Sequence, residues 1–191
     1  MNKSALIVGA GPGLSASLTR LFSNHGFSIA LAARNVEKLG ALADQTQAKC
    51  YPCDASSRGD VASLFESLDN DFGTPEIVVY NPSARVRGPF VDIDQEAVEK
   101  ALMVTCYGGF LVAQAAAKRM LARGSGSIFF TSASAAVKGY VHSASFAMGK
   151  FGLRGLAQSM ARELSPQNIH IGHFVIDGGI GHSDADDQLS P

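Results

Sequence analysis

Short apolar runs alternate with longer segments of helical periodicity along the whole chain, and this alternation restricts the possible folds more than any other feature. Six runs have the length of strands: SALIVG (4–9), FSIALAA (27–33), AKCYP (48–52), EIVVY (76–80), SIFFT (127–131) and HIGHFVI (170–176). The segments between them predict helices at about 14–25, 35–46, 58–71, 94–123 and 143–165. Strands that are apolar on both faces and joined by crossover helices predict an α/β fold, a doubly wound parallel sheet of six strands in three layers.

Length and charge limit the number of domains and the kinds of partner. The chain has 191 residues, a formal net charge of −1, and 46% hydrophobic residues, enough for the core of one domain. We predict a single domain over 1–182 and expect the polar residues 183–191 to form a mobile tail. Without a run of basic residues, neither nucleic acid nor a membrane surface is expected as a partner, and a small molecule is favoured.

The N-terminus and the cysteines indicate the compartment. The start MNKSALIVGAG lacks the length and cleavage site of a signal peptide, and we see no run of about 20 apolar residues, so we expect a cytoplasmic protein. Three cysteines are too few for a disulfide framework. Cys50 and Cys53 have the spacing of a redox pair, but packing beside the sheet is the favoured interpretation. The histidines are scattered, and no metal site is predicted.

A glycine-rich turn, GAGPGLSASL (9–18), follows the first strand. Gly9, Gly11 and Gly13 permit a tight turn and close approach of a ligand, while the helix that begins at Leu14 offers unpaired N–H groups to a phosphate. The turn departs from the G-x-G-x-x-G pattern because Leu14 stands in place of the third glycine. After the first strand of a parallel sheet, it predicts a Rossmann-like cradle for a dinucleotide diphosphate, with a purely structural turn as the alternative.

The end of the second strand bears on the choice of cofactor. Enzymes that prefer NAD place an acidic residue there to bind ribose hydroxyls, but the sequence LAARNVEKL has Arg34 in that region. A guanidinium can hold the additional phosphate of NADP through charge-assisted hydrogen bonds. We therefore predict NADP as the cofactor, with NAD as the less favoured alternative. The simplest alternative for Arg34 is that it is a solvated residue without a role at the cofactor.

Several motifs occur in the order found in one family. Besides the glycine turn, they are Asp54 in CYPCDAS, Asn81 in YNPSA, the run KFGLRGLAQSMARELSPQNIHI, and IDGGI (176–180). Over nearly its whole length the chain resembles the short-chain dehydrogenase/reductase family. The resemblance implies that Asp54 contacts adenine, and it places Asn81, Gly178 and Ile180 at the cofactor. It also implies that the part which usually follows the sixth strand is missing or very short here.

The resemblance breaks down at the residues that are catalytic in the family. Phe146 stands at the position of the tyrosine in Y-x-x-x-K, whose lysine is retained as Lys150. The family's serine falls on Ala133, between Ser132 and Ser134, and its asparagine falls on Thr105. In such enzymes the tyrosine exchanges a proton with the substrate oxygen, and the loss of a general acid typically costs about 10²–10⁴ in rate. Lys150 is then expected to hold the ribose hydroxyls of the cofactor, its other role in the family.

Other side chains could replace the missing acid. His142 and Tyr140 precede the helix of Phe146, and histidine exchanges protons near neutral pH. Ser134, Ser132, Ser143 and Ser145 could polarise a carbonyl or order a water, and Tyr80 is a more distant candidate. Together these residues predict an NADP(H)-dependent oxidoreductase that acts on a carbonyl or alcohol through an atypical proton donor. The alternative is a catalytically inactive protein that binds or senses NADP(H) or serves as a scaffold.

Glycines inside two helices indicate close packing. Gly108 and Gly109 cost about 1 kcal/mol each in a helix, so another element should approach there. Gly149, Gly152 and Gly155 lie along one side of the last helix. Such helices, and the resemblance, predict a homodimer or homotetramer.

Overall fold

A computed structural model describes residues 3–178, which form a six-stranded parallel sheet with helices on both faces. The strands are β1 (Ser4–Val8), β2 (Ser28–Ala33), β3 (Lys49–Pro52), β4 (Ile77–Tyr80), β5 (Gly126–Thr131) and β6 (Ile169–Phe174). Their order across the sheet is β3-β2-β1-β4-β5-β6, and every neighbouring pair is parallel. The Rossmann-like doubly wound sheet predicted from the sequence is confirmed.

Six helices cover the sheet in two layers. They are α1 (Leu14–Asn24), α2 (Gly40–Thr46), α3 (Arg58–Asp71), α4 (Gln95–Leu102), α5 (Gly108–Arg123) and α6 (Ala144–Leu164). The helices α1 and α2 pack on one face, while α3, α5 and α6 pack on the other. The strand β1 is buried along its whole length because it lies between β2 and β4 and is covered on both faces.

A π-helical turn divides the long helix predicted over 94–123. The Asp94 side chain accepts a hydrogen bond from the Ala97 N–H (2.7 Å) and caps α4. The turn over Met103–Tyr107 then separates α4 from α5. Such turns commonly occur at functional sites.

The helix glycines are sites of close approach within the chain. A Cβ at Gly108 would lie 2.5 Å from the Tyr80 hydroxyl, and one at Gly149 would lie 2.9 Å from Cγ2 of Thr105. Gly152 likewise faces Sγ of Cys106, which a Cβ would approach to 2.7 Å. Two of the three glycines of α6 are therefore explained by packing of α6 against the π-helical turn.

Two expectations about apolar residues have different outcomes. By length and composition alone, the helical stretch over 95–123 meets the criteria of a membrane span, which was not expected from the sequence. The side chains of Val112, Ala116 and Met120 in this stretch are buried against the sheet, so its apolar character is explained by the core of the fold. Cys50 and Cys53 pack on opposite faces of the sheet, and burial raises the pKa of both thiols, as expected of packing residues.

Candidate functional site

Three adjoining cavities form one groove along the carboxyl ends of the strands. The first cavity, about 290 Å³, is lined by Gly9, Arg34 and Asp54 among others. The second cavity, about 340 Å³, shares Ser83 with the first. The third cavity, about 540 Å³, shares Arg85, Ala133, Phe146, Ile176 and Gly178 with the second. The groove lies where the strand order reverses between β1 and β4, the place where doubly wound sheets bind their ligands.

The glycine turn between β1 and α1 lies at the first cavity. Gly9 has a φ of 76°, and its N–H donates to the Ala32 carbonyl at 2.9 Å. Gly13 is the N-cap of α1 and supplies no side-chain cap, so the first N–H groups of the helix have no such partner. Apart from its neighbours in the chain, no atom of the described residues lies within 4 Å of the place where a Cβ of Gly11 would be. These features fit a phosphate that approaches the backbone at Gly11 and the start of α1.

Asn81, at the end of β4, supports this turn. Its Nδ2 donates to Oγ of Ser15 (2.9 Å), and Ser15 Oγ donates in turn to the carbonyl of Gly9 (3.1 Å). The Oδ1 of Asn81 accepts from Oγ1 of Thr131 at 2.7 Å. The network ties the ends of β4 and β5 to the turn, so Asn81 positions the turn and also lines the second cavity.

Arg34 and Asp54 both line the first cavity. The carboxylate of Asp54 is oriented by Ser56, whose N–H (2.9 Å) and hydroxyl (2.6 Å) both donate to Oδ1. Arg34 is exposed and forms no ion pair within the described residues. Asp54 is the one carboxylate among the residues that line this cavity. A free guanidinium at the end of β2 fits an additional phosphate better than two neutral hydroxyls.

Lys150 is buried at the second cavity. Its side chain is 3% exposed, and Nζ donates to the carbonyl of Thr131 at 3.1 Å. Burial, with a smaller contribution from the charge of Arg85, lowers the pKa of Lys150 to about 8. Lys150 is therefore a buried residue and not a solvated lysine on the surface of α6.

Phe146 lies between the second and third cavities, and Arg85 covers its ring. The guanidinium carbon of Arg85 is 3.8 Å from the ring centroid, and Nζ of Lys150 is 5.7 Å from it. Sequence reasoning missed Arg85. Its signal was the pair of basic residues in SARVRG, shortly after Asn81.

The loop that carries Arg85 is held on both sides by buried hydroxyl groups. Thr105, in the π-helical turn, accepts from the Ala84 N–H at 2.9 Å. Ser145, on α6, accepts from the Val86 N–H (3.0 Å) and donates to the Val86 carbonyl (2.9 Å). Thr105 stands where the family has its asparagine. Its hydroxyl here positions the backbone immediately before Arg85.

Four of the side chains suggested as proton donors differ in their surroundings. Ser134 and His142 both line the third cavity with Phe146, and His142 has a φ of 57°. Ser132 lines the second cavity, and its buried Oγ has no hydrogen-bond partner in the part of the chain that is described. Tyr80 was a wrong suggestion, because its hydroxyl is buried in the core and donates to the Val104 carbonyl. Burial raises the pKa of Tyr80 well above its ordinary value.

Of the two C-terminal residues predicted to bind the cofactor, Gly178 lies within the described residues and Ile180 does not. Gly178 lines both the second and the third cavity. Ile180, together with the proposed tail over 183–191, lies outside the described residues.

Residues 3–188 match the family described as short chain dehydrogenase. The chain belongs to this family, a class of oxidoreductases that act on CH–OH and C=O groups. It spans from 64 to 80% of the length of the curated relatives it matches.

Relatives and solved structures agree on the class. The chain is 31% identical over 184 residues to trans-4-hydroxycyclohexanecarboxylate dehydrogenase of Sinomonas cyclohexanicum, covering 88% of this chain and 69% of that protein. A short-chain dehydrogenase from Rhodopseudomonas palustris has 34% identity and a TM-score of 0.88, with 93% of this chain and 86% of that one covered. A gluconate 5-dehydrogenase from Burkholderia cenocepacia J2315, in complex with NADP and tartrate, has 25% identity and a TM-score of 0.86, with 93% and 72% covered.

Proposed function

We propose that this protein is an NADP(H)-dependent oxidoreductase that transfers a hydride between nicotinamide and a carbonyl or alcohol substrate. The observation that carries the proposal is the continuous groove, which links Arg34 and Asp54 at one end to Lys150 and Phe146 at the centre and to a further cavity at the other end. Such a groove has the order of parts that a dinucleotide and a substrate require. The gluconate 5-dehydrogenase solved with NADP supports the choice of cofactor.

Each part of the groove has a role in this proposal. Gly9, Gly11, Gly13 and Leu14 receive the diphosphate at the start of α1, and Arg34 binds the additional phosphate that distinguishes NADP from NAD. Asp54 contacts the adenine. Lys150 holds ribose hydroxyls in the second cavity, where its ammonium group is already oriented by Thr131. Gly178 borders the same cavity, and Ile180 completes this set.

The proton must come from a group other than residue 146. The bound cofactor supplies or accepts the hydride, and the substrate oxygen must gain or lose a proton in the same reaction. Phe146 has no proton to exchange, so we assign this role to His142 or Ser134, which line the same cavity. Lys150 keeps the neighbouring space polar.

Calorimetric titration with NADPH and NADH tests the cofactor, and NADPH oxidation with a panel of carbonyl compounds tests the reaction. We expect NADPH to bind more tightly than NADH and Lys150→Ala to weaken both. No binding would reject the proposal. Binding without turnover on any carbonyl would favour the inactive NADP(H)-binding alternative, which the replacement of tyrosine by Phe146 supports.

We also propose that the protein is cytoplasmic and self-associates through α4, α5 and α6. Phe110 on α5 and Met148 and Phe151 on α6 are exposed, and the space above Gly155 is open. Apolar side chains on neighbouring helices fit a helix-to-helix contact between copies. Sedimentation analysis should give a dimer or tetramer at micromolar concentration, and a monomeric mass would contradict this.

A further inference from the structure

We infer that the substrate carries an anionic group, a carboxylate in the first instance, and that Arg85 and Arg87 bind it in the third cavity. The inference rests on the proposed function, because it names the class of carbonyl or alcohol compound that the same site accepts. Arg85 is the primary ligand and Arg87 the second.

The charges of the third cavity favour an anion. Among residues 3–178, two guanidinium groups, Arg85 and Arg87, line it against a single carboxylate, Asp177. Neither arginine forms an ion pair with any residue from 3 to 178, and neither side chain donates a hydrogen bond to this part of the chain. By contrast, Arg119 forms a bidentate pair with Asp69. The donors of Arg85 and Arg87 are therefore available to a ligand, and a guanidinium matches the two oxygens of a carboxylate.

The position of Arg85 is fixed before a ligand arrives. Its guanidinium rests on the ring of Phe146, 3.8 Å from the centroid, a contact that attracts the cation to the ring face. The flanking residues Ala84 and Val86 are bound to Thr105 and Ser145. An arginine held by its neighbours loses little additional freedom when it binds an anion, which increases the affinity that its hydrogen bonds provide.

The third cavity also lies at the correct end of the groove. The phosphates of the cofactor belong, in the proposed function, to the first cavity and the start of α1. The third cavity lies beyond Lys150 and is reached from the second past Phe146. An anion bound there would be the substrate, held so that its reacting carbon faces the second cavity. Phe146 thus acquires a role, since it supports the arginine instead of exchanging a proton.

The test compares two probes of the same shape, 4-formylbenzoate and 4-formylbenzamide, titrated calorimetrically into the protein with and without saturating NADP⁺. We expect 4-formylbenzoate to bind at least about 10-fold more tightly, because a charge-assisted hydrogen bond is worth about that factor or more. The preference should be lost in Arg85→Gln, reduced in Arg85→Lys, and weakened by salt. Arg162→Gln is the matched control, because Arg162 is exposed on α6 and bonds only within its own helix.

Equal affinities for the two probes, no binding of 4-formylbenzoate at millimolar concentration, or a preference that persists in the double variant Arg85→Gln, Arg87→Gln would overturn the inference. So would a loss of NADP⁺ affinity in Arg85→Gln as large as the loss of 4-formylbenzoate affinity, because the arginine would then serve the cofactor. The proposed function fails separately: a protein that prefers the carboxylate but binds no NADPH would contradict the oxidoreductase proposal alone. Thermal melting of each variant verifies that it is folded.

Discussion

The Cα of Gly9 lies directly against Pro82: a Cβ added to Gly9 would be 2.7 Å from the Pro82 nitrogen. Gly9 also has a φ of 76°, a conformation that side chains disfavour. Gly9→Ala should therefore lower the free energy of unfolding by about 2–4 kcal/mol, from the backbone strain and the contact with a rigid ring together. Denaturant unfolding measures this change.

The matched control for Gly9→Ala is Gly11→Ala. No atom lies near the place of the added methyl group, so this variant should keep its stability within about 0.5 kcal/mol. It should instead weaken NADPH binding, since the methyl group would occupy the space proposed for the diphosphate. Equal stability of the two variants would contradict the close packing of Gly9 on Pro82.

The buried Lys150 should make stability depend on pH in a defined direction. Its pKa falls from 10.5 to about 8 on folding. Below pH 8 the lysine is charged in both states, and the cost of burying the charge is constant. Between about pH 8 and 10.5 only the unfolded state keeps the proton, so the free energy of unfolding should rise with pH by an amount on the order of 3 kcal/mol.

To measure this rise, the free energy of unfolding of the wild type is compared with that of Lys150→Met at pH 7 and at pH 10. The comparison is required because Tyr51 and Tyr80, whose pKa values are raised by burial, change stability in the opposite direction at high pH. His173 titrates below this range because burial lowers its pKa. A difference that does not vary with pH would show that Lys150 is solvated.

Arg34 should determine the preference between the two nicotinamide cofactors. Arg34→Ala removes the free guanidinium of the first cavity and should weaken NADPH binding about 10-fold or more while leaving NADH binding nearly unchanged. Calorimetry with both cofactors measures this. Arg20→Ala, whose guanidinium instead bonds Gln45 on the neighbouring helix, serves as the control and should alter neither affinity. An equal loss for NADPH and NADH would remove Arg34 from the phosphate site.

A hydroxyl group can be introduced next to Lys150 by changing Phe146 to tyrosine. Phe146→Tyr places a phenol near Lys150, whose Nζ lies 5.7 Å from the ring centroid, and should raise NADPH-linked turnover on the best carbonyl of the panel by about 10²-fold. Phe146→Leu tests whether any change of the ring suffices, and it should not raise the rate. A fall in rate with Phe146→Tyr would mean that turnover depends more on the support that the phenylalanine ring gives Arg85 than on an additional proton donor.

Ser145 should contribute to stability through the loop that carries Arg85. Its buried hydroxyl serves both the N–H and the carbonyl of Val86, so Ser145→Ala should cost about 1–3 kcal/mol. Ser143→Ala is a fitting control, because Ser143 at the start of α6 makes no side-chain capping bond. Thermal unfolding measures the stability of both variants. Similar melting temperatures would contradict a stabilising role for the hydrogen bonds between Ser145 and Val86.

The fold was readable from the sequence because it depends on local patterns. Each predicted strand lies within two residues of an observed one, since a strand buried on both faces must be apolar throughout and must end where the polar loops begin. The π-helical turn escaped detection because nothing in MVTCY distinguishes it from the α-helix on either side. That Gly9, Arg34 and Asp54 line one cavity follows from the same local pattern, since Gly9 and Arg34 directly follow strands and Asp54 comes two residues after the end of β3.

The lining of the third cavity was only partly predictable. Tyr140, His142 and Ser134 lie near Phe146 in sequence, and their place in one cavity could be expected. Arg85 could not be placed, because its loop is positioned by Thr105 and Ser145, the latter separated from Val86 by 59 positions. Tyr80 was misjudged because its hydroxyl has a partner in the carbonyl of Val104, which only the folded chain brings near.

The π-helical turn over 103–107 makes this region sensitive to insertions and deletions. Each residue of an α-helix turns the chain by about 100°, so deleting one residue from the first turn of α5 would rotate α4 and the π-helical turn by that angle relative to the rest of α5. Ala101 would then leave the core, and the hydroxyl of Thr105 would turn away from Ala84. A side chain in this stretch can change while the backbone keeps its path, but a change in the number of residues would move the support of the Arg85 loop.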